Sequence, residues 1–442
     1  MVGQSGRFGY RSAGVEICFK THLSADNKHG HIGIRLEPFL RIIYHHRTRG
    51  DGAEGIHIRE MVCALEGLGH EVQLVCPTAS RRELGISLGM KGITSKEAKT
   101  KKGFFKLVLT HTLELAYNAI SFTRLSWNIL RNPPDLVYER YSCYHFGGTA
   151  ACRLLQVPLV LEVNSTYAGR FQRRQLVYRR LCRWIEKWVL QKSQLVCVVS
   201  EPLKSCVEDR QVPPERVLVT PNAVNPDHLI RNNDVRKSVR FKLNIAPDAT
   251  VIGFVGSLRR WHGIEFLAEA IPSISKSCPN CIFLIVGTGE LEAEFKSSIR
   301  SKDLEQFVRF TGGVPYDSVP SYISAIDIGL MPDSNEWGSP MKILEYMLQA
   351  KSVVAPRLGP IEEIVEDRKT GMLFERHNLT DFVSAILRLA TDSTSLERIG
   401  KDSQRYVLNE RTWKSNADKI MNAFGSIDST KNTTSKDNPN TN

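Results

Sequence analysis

Two α/β domains in tandem, each a parallel sheet covered by helices on both faces, are the architecture the sequence predicts, and three observations predict it. The chain has 442 residues, more than one ordinary core supports and enough for two domains of roughly 200 residues each. Short apolar runs alternate with stretches of helical period, first over 41–220 and again over 250–366, as when parallel strands return through helical crossovers. Between the two sets, Pro221-Asn222-Ala223-Val224-Asn225-Pro226 and a polar stretch to about Asp248 break the alternation.

Element by element, the first set predicts strands at 41–46, 71–76, 135–139, 158–163, 194–199 and 217–220. Helices are expected at 55–69, 104–130, 146–156 and 171–192, with a Lys-rich loop over about 80–102. The second set predicts strands at 250–255, 282–286, 307–311, 326–331 and 352–355, alternating with helices at 263–276, 290–301, 316–324, 341–350 and 360–366. Helices near 378–390, 395–408 and 413–424 follow. Residues 1–40 show no sustained periodicity and read as a loose extension, and the Ser, Thr, Asn and Lys-rich residues 425–442 read as disordered. The expected organisation is therefore two doubly wound, Rossmann-like domains at 41–225 and 249–412, joined by a linker at 226–248. A closing helix at 413–424 follows them.

Composition narrows the functional classes. With 42% apolar and 24% charged residues, the chain reads as globular. No apolar run approaches the roughly 20 residues that cross a bilayer, and no apolar segment follows Arg7 and Arg11 as in a signal peptide. A cytoplasmic location is expected. Ten cysteines without paired spacing suggest reduced thiols; Cys278-Pro279-Asn280-Cys281 leads into an apolar strand and reads as buried and inert.

Charge is uneven. Residues 1–225 hold 32 Lys+Arg against 19 Asp+Glu, a net of +13, whereas 226–442 hold 27 against 28, a net of −1. An anionic partner for the first half is implied: a phospholipid surface or a lipid-linked phosphate. No nucleic-acid motif matches, and no nucleic-acid partner is expected. Residues 169–192 carry eight Lys+Arg against one Asp+Glu, with Trp184, Trp188 and Leu181 on one helical face opposite Arg173, Arg180 and Arg183. Such a helix either rests on an anionic bilayer as a peripheral contact or packs its apolar face on the sheet.

The segment Gly338-Ser339-Pro340-Met341-Lys342-Ile343-Leu344-Glu345-Tyr346-Met347 carries the chemistry most directly. It begins a helix after an apolar strand, where an open α/β sheet holds a nucleotide. Unpaired N–H groups at the helix start suit phosphate oxygens, Lys342 adds positive charge, and Glu345, one turn in, can accept hydrogen bonds from ribose hydroxyls.

Further motifs occur in a fixed order: Gly55-Ile56-His57-Ile58-Arg59-Glu60 with Gly69-His70-Glu71-Val72, Pro221-Asn222-Ala223-Val224, Val255-Gly256-Ser257-Leu258, Val286-Gly287-Thr288-Gly289, Phe310-Thr311-Gly312 and Glu362-Glu363-Ile364-Val365. Over roughly 41–424 the chain resembles the retaining GT-B glycosyltransferases of family 4. The resemblance implies two Rossmann-like domains facing a cleft. It implies a nucleotide-sugar donor, UDP- or GDP-linked, held mainly by the C-terminal domain, and a sugar or lipid-linked acceptor held mainly by the N-terminal one. No cofactor and no catalytic metal are implied.

A metal-free transfer needs fixed positive charge and N–H dipoles where the diphosphate departs. The turn Gly256-Ser257-Leu258-Arg259-Arg260-Trp261-His262-Gly263 is the expected place, with Gly256 allowing close approach and Arg259 or Arg260 reaching the phosphates. The family usually has an Arg and a Lys where this chain has Ser257 and His262, so Arg259, Arg260 and Lys342 are the candidates to compensate. Glu345 matches the second of two glutamates eight positions apart, while Trp337 occupies the place of the first; Glu336 is its nearest substitute. In the N-terminal domain Asn164 stands where the family often has a His. An amide can position a hydroxyl but is no base near neutral pH. Glu162 and the Glu139-Arg140 pair are its expected neighbours. The loop Gly50-Asp51-Gly52-Ala53-Glu54-Gly55 is expected to meet donor phosphate and acceptor, with His57 either joining it or packing its helix. Besides a transferase, a non-catalytic nucleotide-sugar-binding relative and a UDP-sugar epimerase of the same fold satisfy these features.

Overall fold

The computed structural model describes residues 8–12, 15–19, 39–48, 52–76, 101–167, 175–230 and 232–434. They fall into two compact units, one of Met1–Cys197, Val207–Leu218 and Ala417–Asn442, the other of Val198–Cys206 and Val219–Asn416. Ahead of both sheets, β1 (Phe8–Ser12) and β2 (Val15–Phe19) pair antiparallel with Phe8 opposite Phe19. The loose extension expected there is thus corrected: aromatic and β-branched residues flank Ala13-Gly14, a two-residue spacing that suits a hairpin.

The first unit is built on β3 (Arg41–His45), β4 (Glu71–Val75), β5 (Leu136–Arg140), β6 (Leu159–Val163), β7 (Leu195–Val198) and β8 (Val217–Val219), in the order β4-β3-β5-β6-β7-β8. The second carries β9 (Thr250–Val255), β10 (Cys281–Val286), β11 (Val308–Gly312), β12 (Ile328–Leu330), β13 (Ser352–Pro356) and β14 (Met372–Phe374), in the order β11-β10-β9-β12-β13-β14. Its pairs are all parallel. Every residue of β5, β6 and β13 is buried, as expected of central parallel strands, including the charged Glu139, Arg140 and Glu162. Strand order reverses beside β3 and beside β9, and at such a switch point a doubly wound sheet opens a crevice.

Several boundaries differ from the sequence reading. The polar stretch after Asn225 is no mere linker, because the helix Asn233–Lys242 packs on the helix Val319–Ala325. Arg236 and Arg240 fork onto the two oxygens of Asp327, at 2.7 and 2.6 Å, and Asp327 also accepts the Val251 N–H at 2.8 Å. The last helix runs Trp413–Thr434 rather than stopping at 424, since extending an existing helix avoids the cost of nucleation. Residues 435–442 lie outside the described residues, as does most of the Lys-rich loop. The helix expected from 171 begins at Arg179. Cys278 and Cys281 are joined in a disulfide, not inert thiols; Pro279-Asn280 turns the chain at a helix end and brings the two Cα atoms to 5.5 Å. Among the described residues, no helix is long and apolar enough to cross a membrane.

Asp327→Ala removes the carboxylate between two guanidinium groups, which keep only carbonyl acceptors, and takes the acceptor from the Val251 N–H. We expect it to lower stability by about 2–4 kcal/mol, seen as a lower denaturation midpoint by circular dichroism.

Candidate functional site

In the second unit the switch point lies between the carboxyl ends of β9 and β12. The helix Met341–Leu348 is anchored there by Tyr346, whose ring fills the space above Gly329 and whose hydroxyl accepts the Val255 N–H at 2.7 Å. This fixes the first helical turn against the end of β9. Lys342 then projects across the Phe254 ring, its Nζ 4.3 Å from the centroid. That nitrogen is sealed from solvent and has no hydrogen-bond partner among the described residues. Burial pulls its pKa down to about 7, against the favourable charge of Glu345. A Cβ at Gly256, whose φ is +141°, would sit 2.8 Å from Nζ. Gly256 is therefore glycine for two reasons, backbone conformation and room for the ammonium.

The other donor candidates separate by partner. Arg260 is exposed and pairs with Glu265 at 3.0 Å, and Arg259 is exposed with its Nε on Ser257 Oγ at 3.1 Å. His262 is buried, 2.6 Å by Nδ1 from the Ser257 carbonyl and with its ring tilted at 46° against Trp261, so it braces the turn. Of the three cations left open by the sequence, Lys342 alone is enclosed and without an acceptor. Glu345 is half-buried and receives the Tyr316 hydroxyl at 3.2 Å; burial raises its pKa. Pro340 caps the helix with no side-chain bond and Met341 begins it. Gly312 stands one loop away, its carbonyl accepting the Gly287 N–H at 2.9 Å. Glu336 is exposed and 3.4 Å from Arg376, which also binds Asp333 at 2.8 Å. It is thus tied outward from the loop, while Asn335 folds that loop by accepting the N–H groups of Trp337 and Gly338.

In the first unit, two buried polar networks occupy opposite faces of one sheet. Strand alternation separates Glu139 from Arg140, so the expected pair is not a pair. On one face Glu162 is the hub. Tyr44 and Tyr138 donate to it at 3.1 and 3.2 Å, His57 Nδ1 lies 3.0 Å away, and Arg140 and Asn164 also bind it. Burial alone would raise the Glu162 pKa, but His57 and Arg140 outweigh it and hold the carboxylate well below its usual range. On the other face, Glu139 lies 3.2 Å from Nδ1 of both His45 and His145, and Ser121 Oγ lies between their Nε2 atoms at 3.2 and 2.8 Å. These histidines and Glu139 also form a group with metal-ligand spacing. It was invisible in the sequence because its members come from three separate elements.

The expected phosphate loop is corrected in part. Gly52, Glu54 and Gly55 lie in the first turn of the helix Gly52–Gly67, not in a loop before it. Alanine, glutamate and the apolar run after them favour helix enough to recruit the glycines. Gly50 and Asp51 lie outside the described residues. Glu54 is exposed, and its charge is felt at Arg140.

Two doubly wound units, one with an enclosed cation at a switch-point helix start, define the two-domain GT-B class of transferases. Residues 54–228 match the family described as Glycosyltransferase Family 4, and residues 249–392 the one described as Glycosyl transferases group 1. The chain belongs to this glycosyltransferase family and is an enzyme of that class. It is 24% identical over 330 residues to the UDP-Gal:alpha-D-GlcNAc-diphosphoundecaprenol alpha-1,3-galactosyltransferase of Escherichia coli, covering 73% of this chain and 83% of that one. It is 25% identical over 263 residues to the alpha-D-kanosaminyltransferase of Streptomyces kanamyceticus, covering 57% and 66%. Among solved structures it resembles Anabaena Alr3699/HepE in complex with UDP, with a TM-score of 0.65 at 16% identity, covering 87% of this chain and 100% of that one. A glycosyltransferase from Rickettsia africae superposes with a TM-score of 0.68 at 16% identity, covering 88% and 98%.

Burial opposes ionisation of Glu139, yet His145 and His45 hold its pKa down to about 2. A carboxylate depressed in the folded state stabilises fully above its unfolded pKa, near 4.3, and loses that contribution as pH falls toward the folded value. We therefore expect Glu139→Gln to flatten the acid limb of stability between about pH 5 and pH 2, measured by urea unfolding across that range.

Proposed function

We propose that this chain is a retaining hexosyltransferase that moves a sugar from a UDP- or GDP-linked donor to a polysaccharide, glycolipid or lipid-linked acceptor. One observation carries the donor half of this reading: the Lys342 Nζ, enclosed between Gly256 and the Phe254 ring at a helix start, has no acceptor among the described residues. A donor diphosphate supplies that anion, and the helix N–H groups share its charge. Glu345, held by Tyr316, takes the ribose hydroxyls. As the bond from the anomeric carbon to the diphosphate breaks, Lys342 stabilises the charge gathering on the leaving oxygens. The acceptor oxygen bonds to that carbon on the face the diphosphate leaves, and its proton passes to a departing phosphate oxygen. No side-chain base is needed, which agrees with Asn164 being an amide bound to Glu162. The Glu162 hub, with Arg140 and His57, is assigned to shaping the acceptor side. The similarity to a transferase named for a diphosphoundecaprenol acceptor supports a lipid-linked acceptor.

Trp337 in the place of a glutamate, and Glu336 drawn to Arg376, favour a second reading: a relative that binds nucleotide sugar without transfer. Turnover decides between them. Lys342→Ala and Glu345→Ala are each expected to lower donor turnover by about 100-fold or more, assayed as nucleotide release across a panel of UDP- and GDP-sugars. Wild-type binding of a donor with no release across a broad acceptor panel would leave the second reading standing.

A separate expectation concerns protons. Because the free-state Lys342 pKa is about 7 and a bound diphosphate favours the charged form, nucleotide binding should take up a proton above that pH. Calorimetry of UDP or GDP in buffers of differing ionisation heat should show this uptake at about pH 8, and Lys342→Ala should abolish it.

A further inference from the structure

The helix Lys101–Arg131 has two apolar faces, and only one of them is covered by the described residues. Leu107, His111, Asn118, Ser121, Leu125 and Ile129 are turned inward and buried. Asn118 serves the interior, accepting the N–H groups of Phe146 and Gly147 at 2.7 and 2.8 Å and donating to the Tyr144 carbonyl at 2.8 Å. On the opposite side, Phe105, Leu109, Leu113, Ile120, Trp127 and Leu130 recur at intervals of three, four and seven. They fall within a stripe of about 100°. All six are exposed, Phe105 by 71%, Trp127 and Leu130 by 66% each. The stripe runs from Phe105 to Leu130 of this 31-residue helix, about 38 Å along its axis. Isolated exposed apolar residues need no explanation, but a continuous row of this length does.

A second exposed apolar group lies on the helix Arg179–Lys192, where Leu181 and Trp184 face solvent, Trp184 by 64%. The core-facing side of that helix is a different one, formed by Cys182, Ile185, Val189 and Leu190. Of the side the sequence singled out, Leu181 and Trp184 are exposed, while Trp188 is half-buried. The long helix and the segment entering this one touch: Thr112 Oγ1 is 3.0 Å from the Tyr178 hydroxyl, and the Val177 N–H reaches His111 Nδ1 at 3.3 Å.

Charge identifies the occupant. Each helix has a single carboxylate, and both are withdrawn from the surface. Glu114 is half-buried and pairs with Arg47 at 3.2 Å; Glu186 is fully buried and meets Arg210 at 3.3 Å. Lys106, Arg131, Arg179, Arg180 and Arg183 remain exposed around the apolar residues. We infer that this face seats the enzyme on an anionic lipid bilayer, with the long helix lying in the interface and its Phe, Leu, Ile and Trp side chains entering the headgroup boundary. An apolar stripe flanked by unneutralised cations is what interfacial binding requires. A second copy of this chain would instead bring two like-charged faces together. The inference goes beyond the proposed transfer, whose donor chemistry resides in other elements.

The experiment is flotation of the full chain with vesicles of equal parts phosphatidylglycerol and phosphatidylcholine, compared with phosphatidylcholine alone. Binding is expected to the anionic vesicles, to weaken with added salt, and to be at least about tenfold weaker to neutral ones. The double variant Leu109→Glu with Trp127→Glu should lose at least about tenfold in vesicle affinity while keeping the wild-type circular dichroism and nucleotide affinity. Arg180→Glu with Arg183→Glu, which leaves the stripe intact, should reduce the salt dependence. Absence of flotation, equal binding to neutral vesicles, or full binding by the folded stripe variant would overturn the inference. So would light scattering that shows a wild-type dimer dissolved by the stripe substitutions.

Discussion

Parallel pairing is the constraint from which the rest follows. A strand that must return to the same end of its sheet cannot turn tightly; it needs a crossover, and the crossover helix covers a face. Both sheets obey this, so their central strands are buried on both sides and their polar side chains gather at the carboxyl ends. Where strand order reverses, two neighbouring crossovers leave in opposite directions and uncover the strand ends between them. In the first unit that place lies beside β3 and β5, which contribute Tyr44, His45, Glu139 and Arg140. In the second it lies between β9 and β12, which contribute Gly256 and lead to Lys342. The chemistry is located by topology before any side chain is chosen.

The two locations are finished differently. Around Glu162 the charges are closed: a carboxylate meets a guanidinium, an imidazole, an amide and two phenols, all inside the protein. Such a cluster stiffens the strand ends because each member would be costly to leave unpaired. Around Lys342 the arrangement is open. One cation has been taken out of water and given an aromatic face, an adjacent glycine and a more distant carboxylate, but no acceptor. A buried ammonium of that kind is costly, and burial lowers the Lys342 pKa accordingly. One unit thus closes its buried charges on one another, and the other leaves a buried cation without an acceptor among the described residues.

The fold was legible because strand burial and helix period leave marks in local sequence, and the second set of elements was found nearly in place. That Lys342 and Glu345 share the start of one helix was legible for the same reason, since it depends on spacing within one element. The failures share a cause. The hairpin at Phe8–Phe19 and the helix Asn233–Lys242 lie in stretches without a sustained apolar pattern; the second is held by Arg236 and Arg240 meeting Asp327, about ninety residues away. The His45, Glu139 and His145 group joins three elements, and no window of sequence contains it. Reading Glu139 and Arg140 as a pair ignored that consecutive strand residues point to opposite faces. The outward stripe on Lys101–Arg131 was present in the sequence, but two apolar faces on one helix blur into a single amphipathic signal until burial tells them apart.

Gly287 shows how far the demands of a site can extend. Its φ is +134°, and a Cβ there would lie 2.0 Å from the Gly256 carbonyl oxygen. It touches neither Lys342 nor any expected ligand, yet it sets how near the second loop may lie to the first, and the first is already at its limit against the ammonium. Two bare backbones in contact leave no side chain that could adjust. Over evolutionary time this makes Gly287 and Gly256 a coupled pair: a substitution at 287 must be absorbed by moving 256, and 256 has nowhere to go but into the lysine. Side chains elsewhere on these two loops can change. The spacing between these two loops cannot drift, and a descendant that lost it would lose the cation with it.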